Sequence, residues 1–126
     1  MPANTLIFIY GTLRREGRAH RLMLEADFQC LATTSGRIVH VDQYPGLILD
    51  SENSVIGELY IANDKLVREL DQYEGCFESP PLYIRQEITV IDENGKTHQA
   101  QTYVFQGLKP HHKKIQSGDW IKWVNQ

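Results

Sequence analysis

A chain of 126 residues, 41% hydrophobic and 23% charged, can bury one continuous core and is sized for a single domain, residues 1–126. Thirteen Lys and Arg against sixteen Asp and Glu leave a net charge of −3, so no strong global field favours nucleic acid or an anionic membrane surface. Cys30 and Cys76 are too few and too far apart for a disulfide framework and lack a zinc-type CxxC spacing; with no basic leader before the short apolar run in MPANTLIFIY, they read as reduced thiols of a cytoplasmic protein outside the membrane.

Leu6 to Tyr10 is a continuous apolar run, the pattern of a strand buried on both faces near the middle of a sheet. From Leu13 to Ala26 the apolar residues are sparse and then helically spaced, which predicts a loop leading into a short helix. Cys30 to His40, Gly46 to Leu49 and Val55 to Ile61 are rich in branched residues and separated by turn formers, which predicts three strands in a meander. Asn63 to Gly75 predicts a helix, with an N-cap asparagine, apolar residues at 66, 67, 70 and 73, and a closing glycine. Tyr83 to Ile91 and Gln99 to Phe105 predict a hairpin turning at Asn94-Gly95. In the polar tail from Lys109, the residues Ile115, Trp120, Ile121, Trp123 and Val124 are expected to pack back on the body. The sum is an α+β domain, mainly β with two helices, whose mixed sheet is strongly curved or barrel-like.

One carboxylate stands out. Leu66, Leu70 and Glu74 are spaced i, i+4, i+8, so Glu74 continues the apolar stripe of its helix and sits in the last turn, at the negative end of the macrodipole. Desolvation and dipole would both raise its pKa, giving a general base near neutral pH. The alternative is a glutamate of a fraying last turn that points into water.

The second signal is the break after the first strand. Gly11 allows either a positive φ or a close approach, and the N–H groups of Thr12, Leu13 and Arg14 could then converge on a carboxylate. An ordinary strand-ending turn is the commoner meaning of these residues alone, and no Walker A or dinucleotide fingerprint follows. Arg14, Arg15, Arg18 and Arg21 read as a solvated loop or helix face rather than as a nucleic-acid site. His111-His112 lacks ligand spacing and reads as a surface pair, so no metal site is expected.

YGTLR at 10–14, VIGELY at 55–60, LDQYEG at 70–75, YIRQEITV at 83–90 and IQSGDW at 115–120, in that order, resemble the γ-glutamylcyclotransferase-like family in its bacterial single-domain and γ-glutamylamine (AIG2-like) branches. The resemblance implies a barrel-like mixed sheet with two or more flanking helices. It implies an enzyme that needs no cofactor: the α-amine of a γ-glutamyl compound attacks its own γ-carbonyl, and 5-oxoproline is released. Glu74 matches the family's catalytic acid/base, and Tyr10, Gly11, Thr12 and Leu13 match its substrate-binding loop. Tyr83 and Tyr103 sit where their hydroxyls would line the same cavity, with a core or surface aromatic as the alternative for each; Arg85, on the face of Tyr83, reads as structural. The expected partner is a small γ-glutamyl substrate, with the chain a monomer or weak homo-oligomer that binds neither nucleic acid nor membrane. The reading that competes with the enzyme is a ligand-binding or regulatory module using the same pocket without turnover.

Overall fold

The computed structural model describes residues 4–125. Its frame is a seven-stranded mixed sheet: β1 (Asn4–Ile9), β2 (Asp27–Ser35), β3 (Arg37–Val41), β4 (Tyr44–Ile48), β5 (Ser54–Asn63), β6 (Tyr83–Asp92) and β7 (Thr97–Phe105). Two helices flank it, α1 (Asp64–Tyr73) and α2 (Trp120–Val124). The strands β1, β5, β2, β6 and β7 follow one another antiparallel, and a parallel contact between Ile7 of β1 and Gln101 of β7 closes them into a barrel.

The β3–β4 hairpin is an excursion from that barrel and rejoins it through Leu47 of β4, which pairs in parallel with Val104 of β7. One edge of β7 therefore serves two strands in succession, β1 and then β4. Tyr10 sits at the changeover. Its hydroxyl donates to the Tyr103 carbonyl at 2.6 Å and accepts from the Leu47 N–H at 3.2 Å, so it satisfies the backbone where the two strands part.

Both faces of β1 are buried, as a strand inside a closed sheet requires. Ile7 and Ile9 meet Leu66, Val67 and Leu70 of α1 in one apolar cluster. Phe8 and Tyr10 face a second, with Leu47, Leu59, Val90, Ile115 and Trp120. The burial of Leu66 and Leu70 contributes about 1.5–3 kcal/mol each and fixes which face of α1 turns inward. Asn63 caps that helix, its side-chain oxygen accepting the Leu66 N–H at 2.9 Å.

Three sequence expectations need correction. The predicted strand over 30–40 is two strands, because the chain turns at Gly36, whose N–H donates to the Asn53 carbonyl at 3.0 Å. The meander fails with it: β2 pairs with β5 and β6, while β3 and β4 pair with each other. The short helix predicted within 13–26 is a single 3₁₀ turn over His20–Met23. The tail packs as expected through Ile115, Trp120 and Ile121, while Val124 stays exposed. No helix among the described residues is long and apolar enough to cross a membrane.

Candidate functional site

The chain leaves β1 through a tight turn in which the Arg14 N–H donates to the Gly11 carbonyl at 3.0 Å. Gly11 does not adopt a positive φ. It is glycine because a Cβ there would collide with the Pro45 ring, which forms the facing wall. Of the three amides expected to converge, that of Arg14 is thus consumed by the turn. The N–H groups of Thr12 and Leu13 donate to no acceptor among the described residues. Gly11→Ala should push the β3–β4 hairpin off the loop, costing about 1–3 kcal/mol as overpacking does. The drop in urea midpoint would measure it.

What holds this turn is an ion-pair network around Arg14, a residue that the sequence reading placed in solvent. Arg14 is 7% exposed and Glu58 2% exposed. Arg14 Nε donates to Glu58 Oε2 at 3.1 Å, and a second guanidinium nitrogen donates to Asp119 Oδ1 at 3.0 Å. Glu58 Oε1 accepts the Arg15 N–H at 2.9 Å and the Tyr60 hydroxyl at 2.8 Å. Among the described residues no fully buried side-chain nitrogen or oxygen is left without a hydrogen-bond partner, which is the condition for burying charges without a large penalty. Arg15, Arg18 and Arg21 are exposed, as a solvated face predicts.

The opposite wall is the end of α1. The helix stops in a Schellman arrangement: the Gly75 N–H donates to Gln72 O at 3.1 Å and the Cys76 N–H to Asp71 O at 3.0 Å, with Gly75 at φ 76°. Glu74 is therefore the C-cap, the last residue whose position the helix dictates. Its carboxylate has no hydrogen-bond or ion-pair partner among the described residues and lines a cavity with Tyr10, Gly11, Thr12, Leu13, Tyr83 and Tyr103. Burial alone pushes its pKa from 4.5 up to about 8. All seven residues singled out from the sequence thus meet in one place.

The hydroxyls of the buried tyrosines around that cavity are already engaged. The Tyr83 hydroxyl donates to the Pro45 carbonyl at 2.7 Å, and the Tyr103 hydroxyl donates to Asp71 Oδ1 at 2.7 Å. Thr12 Oγ1 lies 3.0 Å from the Tyr73 hydroxyl, which ties the loop to the residue before Glu74. Tyr83 and Tyr103 are fully buried, and burial raises the pKa of each. They present ring faces and hydrogen-bond geometry, not free donors.

Asp71 escaped the sequence reading. It is buried at the inner face of α1, one turn before Glu74, and accepts both the Tyr103 hydroxyl and Arg85 Nε, the latter at 2.9 Å. Its spacing of four from Val67 placed it on the apolar stripe, a signal as strong as that for Glu74. Arg85 is structural, as expected. Glu78 and His111 are exposed and take no part in the cavity.

The chain matches the family model described as gamma-glutamyl cyclotransferase, AIG2-like, over residues 7–122. It is 34% identical over 122 residues to the gamma-L-glutamyl-butirosin B gamma-glutamyl cyclotransferase of Niallia circulans, covering 93% of this chain and 76% of that one. It is 34% identical over 96 residues to the gamma-glutamylaminecyclotransferase of Rattus norvegicus, covering 67% of this chain and 62% of the relative. Among solved structures, an AIG2-like protein of Mus musculus superposes with a TM-score of 0.79 at 28% identity, covering 90% of this chain and 86% of that one. YkqA of Bacillus subtilis superposes with a TM-score of 0.76 at 29% identity; it covers 94% of this chain, which spans only 40% of YkqA.

Proposed function

Since the chain belongs to the AIG2-like gamma-glutamyl cyclotransferase family, we propose that it releases 5-oxoproline from a γ-glutamyl compound, with Glu74 carrying the protons. The observation that supports this reading best is the unpaired Glu74 carboxylate lining one cavity with Thr12 and Leu13, whose amides donate to no acceptor among the described residues. An anionic group held by those amides and an ammonium beside the carboxylate describe the two charged ends of a γ-glutamyl α-carbon. Backbone donors suit the first role because they cannot rotate away.

The chemistry follows from the proton inventory. The α-nitrogen arrives as an ammonium and is not nucleophilic until Glu74 accepts a proton. It then attacks the γ-carbonyl carbon and forms the ring C–N bond. The old C–N bond breaks as Glu74 returns a proton to the leaving nitrogen. The two protons that the α-nitrogen loses equal the two that the leaving nitrogen gains, so the amine departs as an ammonium. A carboxyl at about 8 and an amine in the same range exchange a proton with little free-energy change, which is the condition for efficient general acid–base catalysis. Because the attack is intramolecular, the rest of the site has only to hold the chain folded for ring closure, an effect worth up to roughly 7 kcal/mol.

The cavity measures about 20 Å³, room for a water molecule but not for a γ-glutamyl group, so its walls part on binding. Tyr44, 45% exposed, is the most exposed residue of its lining. Incubation with a panel of γ-glutamyl peptides and γ-glutamyl amines should yield 5-oxoproline, detected by mass spectrometry. Binding of panel members with no product from any of them would favour the non-catalytic module.

A further inference from the structure

Three buried phenols line the cavity with Glu74, and each has a single proton to donate. Tyr10 donates to the Tyr103 carbonyl, Tyr83 to the Pro45 carbonyl and Tyr103 to Asp71 Oδ1. Only the last of these acceptors is a side chain, so only the direction of the Tyr103 proton depends on what stands at one position of α1. Tyr103 and Glu74 are separated by a space that admits one water molecule, and the Glu74 charge adds to burial and the Asp71 contacts in keeping the phenol protonated. A carboxylate that close is the alternative acceptor for this proton.

Asp71 is the anion with a counter-charge. Arg85 Nε donates to both of its oxygens, at 2.9 and 3.3 Å, and another guanidinium nitrogen donates to Gln101 Oε1 at 3.2 Å, which fixes the pair against β7. Glu74 has no cation beside it among the described residues. The carbonyl of Asp71 also accepts the Cys76 N–H, so the same residue closes the helix end that places Glu74. A phenol donating to Glu74 instead would stabilise its charged form and leave a weaker base, bound to a proton donor that it must shed before acting.

We infer that Asp71 is a positioning residue: it holds the Tyr103 proton away from the cavity, so that Glu74 keeps its oxygens for the substrate ammonium and Tyr103 offers the cavity a lone pair rather than a hydrogen. The ammonium in this statement rests on the proposed reaction, whereas the direction of the Tyr103 proton rests on the contacts alone.

The ionisable groups that feel the Glu74 charge are Tyr10 of β1, Tyr83 of β6, Tyr103 of β7, and Tyr73 and Cys76 at the end of α1. All five are raised above their ordinary values and stay protonated near pH 8, so a titration below that reads the carboxyl itself. Glutamate labelled with carbon-13 at the side-chain carboxyl gives the Glu74 midpoint by NMR without substrate, its signal identified by loss in Glu74→Gln. Asp71→Asn keeps the side-chain shape but offers the phenol a neutral acceptor, so Tyr103 should turn to Glu74 and lower its midpoint by about one pH unit. With Tyr103→Phe added there is no phenol to turn, and the midpoint should lie about one unit above that of Asp71→Asn. Both variants lack the same aspartate charge, so the difference between them isolates the proton. Tyr103→Phe alone should leave the midpoint near 8, a test that stands even where Asp71→Asn fails to fold. In turnover, the acid limb of kcat/KM should move with the midpoint, and kcat of Asp71→Asn should fall by up to about tenfold. Equal midpoints with and without the phenol in the Asp71→Asn background, or a midpoint moved by Tyr103→Phe alone, would overturn the inference. Midpoints that move as expected in a protein releasing no 5-oxoproline would keep the positioning role and sink the cyclotransferase reading. Release of 5-oxoproline with an unmoved midpoint in Asp71→Asn would do the reverse.

Discussion

Glu74→Gln should lower kcat by roughly 10²–10⁴-fold, the range that a positioned general acid–base supplies, while KM changes little. The two side chains are nearly isosteric, so the cavity keeps its shape and only the exchangeable proton is lost. The pH profile carries the same signature. With the free carboxyl at about 8, kcat/KM should fall tenfold for each pH unit below that value, and the variant's residual rate should lack this limb. Turnover of the variant equal to that of the parent would remove Glu74 from the chemistry.

The same substitution tests the half-buried carboxyl without any substrate. Unfolded, Glu74 loses its proton near the ordinary 4.5; folded, it keeps that proton until about 8. In that window the folded state binds more protons, so stability falls as pH rises from about 4.5 to 8 and then levels off. The sign is opposite to that of an ion-paired carboxylate. At up to about 1.4 kcal/mol per pH unit, the total is a few kcal/mol. Glu74→Gln should abolish this slope and be more stable than the parent at pH 8, with the gap closing toward pH 4.5. Thermal melts of both proteins across that range measure it.

Glu58→Leu should destabilise the fold by about 3 kcal/mol, because it leaves the Arg14 guanidinium buried with Asp119 as its remaining anion. Adding Arg14→Met should recover much of that loss, since an apolar pair of similar volume needs no counter-charge. Activity should not recover with it. The Arg15 N–H would still lack the carboxylate that anchors it, and the amides of Thr12 and Leu13 hang on that anchor. Equilibrium urea unfolding and kcat/KM, measured on the single and double variants, separate the two effects. If the double variant regains activity along with stability, the network serves the fold alone.

These two sites differ in how far the amino-acid order reveals them. Glu74 was legible because its signal is local: one helix, one stripe, one capping glycine at the next position. The same holds for the Asn63 cap, the Asn94-Gly95 hairpin and the family motifs, each written in consecutive residues. Glu58 sat within the quoted VIGELY motif, yet its partner is 44 positions away, and an arginine in a basic run gives no sign of being buried. The barrel-like sheet was expected, but the contacts that close it were hidden for the same reason. Closure depends on short parallel contacts between distant strands, Ile7 with Gln101 and Leu47 with Val104, which leave no periodicity in either segment. Gly36 was misread because a lone glycine inside a branched run looks the same whether the strand bends or ends.

The tyrosines teach a related point. The hydroxyls of Tyr83 and Tyr103 were expected to line the cavity, with a core aromatic as the alternative for each, but Tyr83 is bound to backbone and Tyr103 to Asp71. Buried phenols satisfy themselves first. Asp71, by contrast, was readable from spacing and was passed over because an aspartate beside exposed residues looks solvated.

The seam between the first and last strands also constrains how the molecule comes into being. Loop closure over nearly the whole chain must precede the contact of residue 7 with residue 101, so folding is expected to be slow for a domain of this length. During synthesis, the wall at Gly11 and the carboxylate at 74 both leave the ribosome well before Tyr103 can join them. A nascent chain therefore carries Gly11 and Glu74 before the strand that closes the cavity around them.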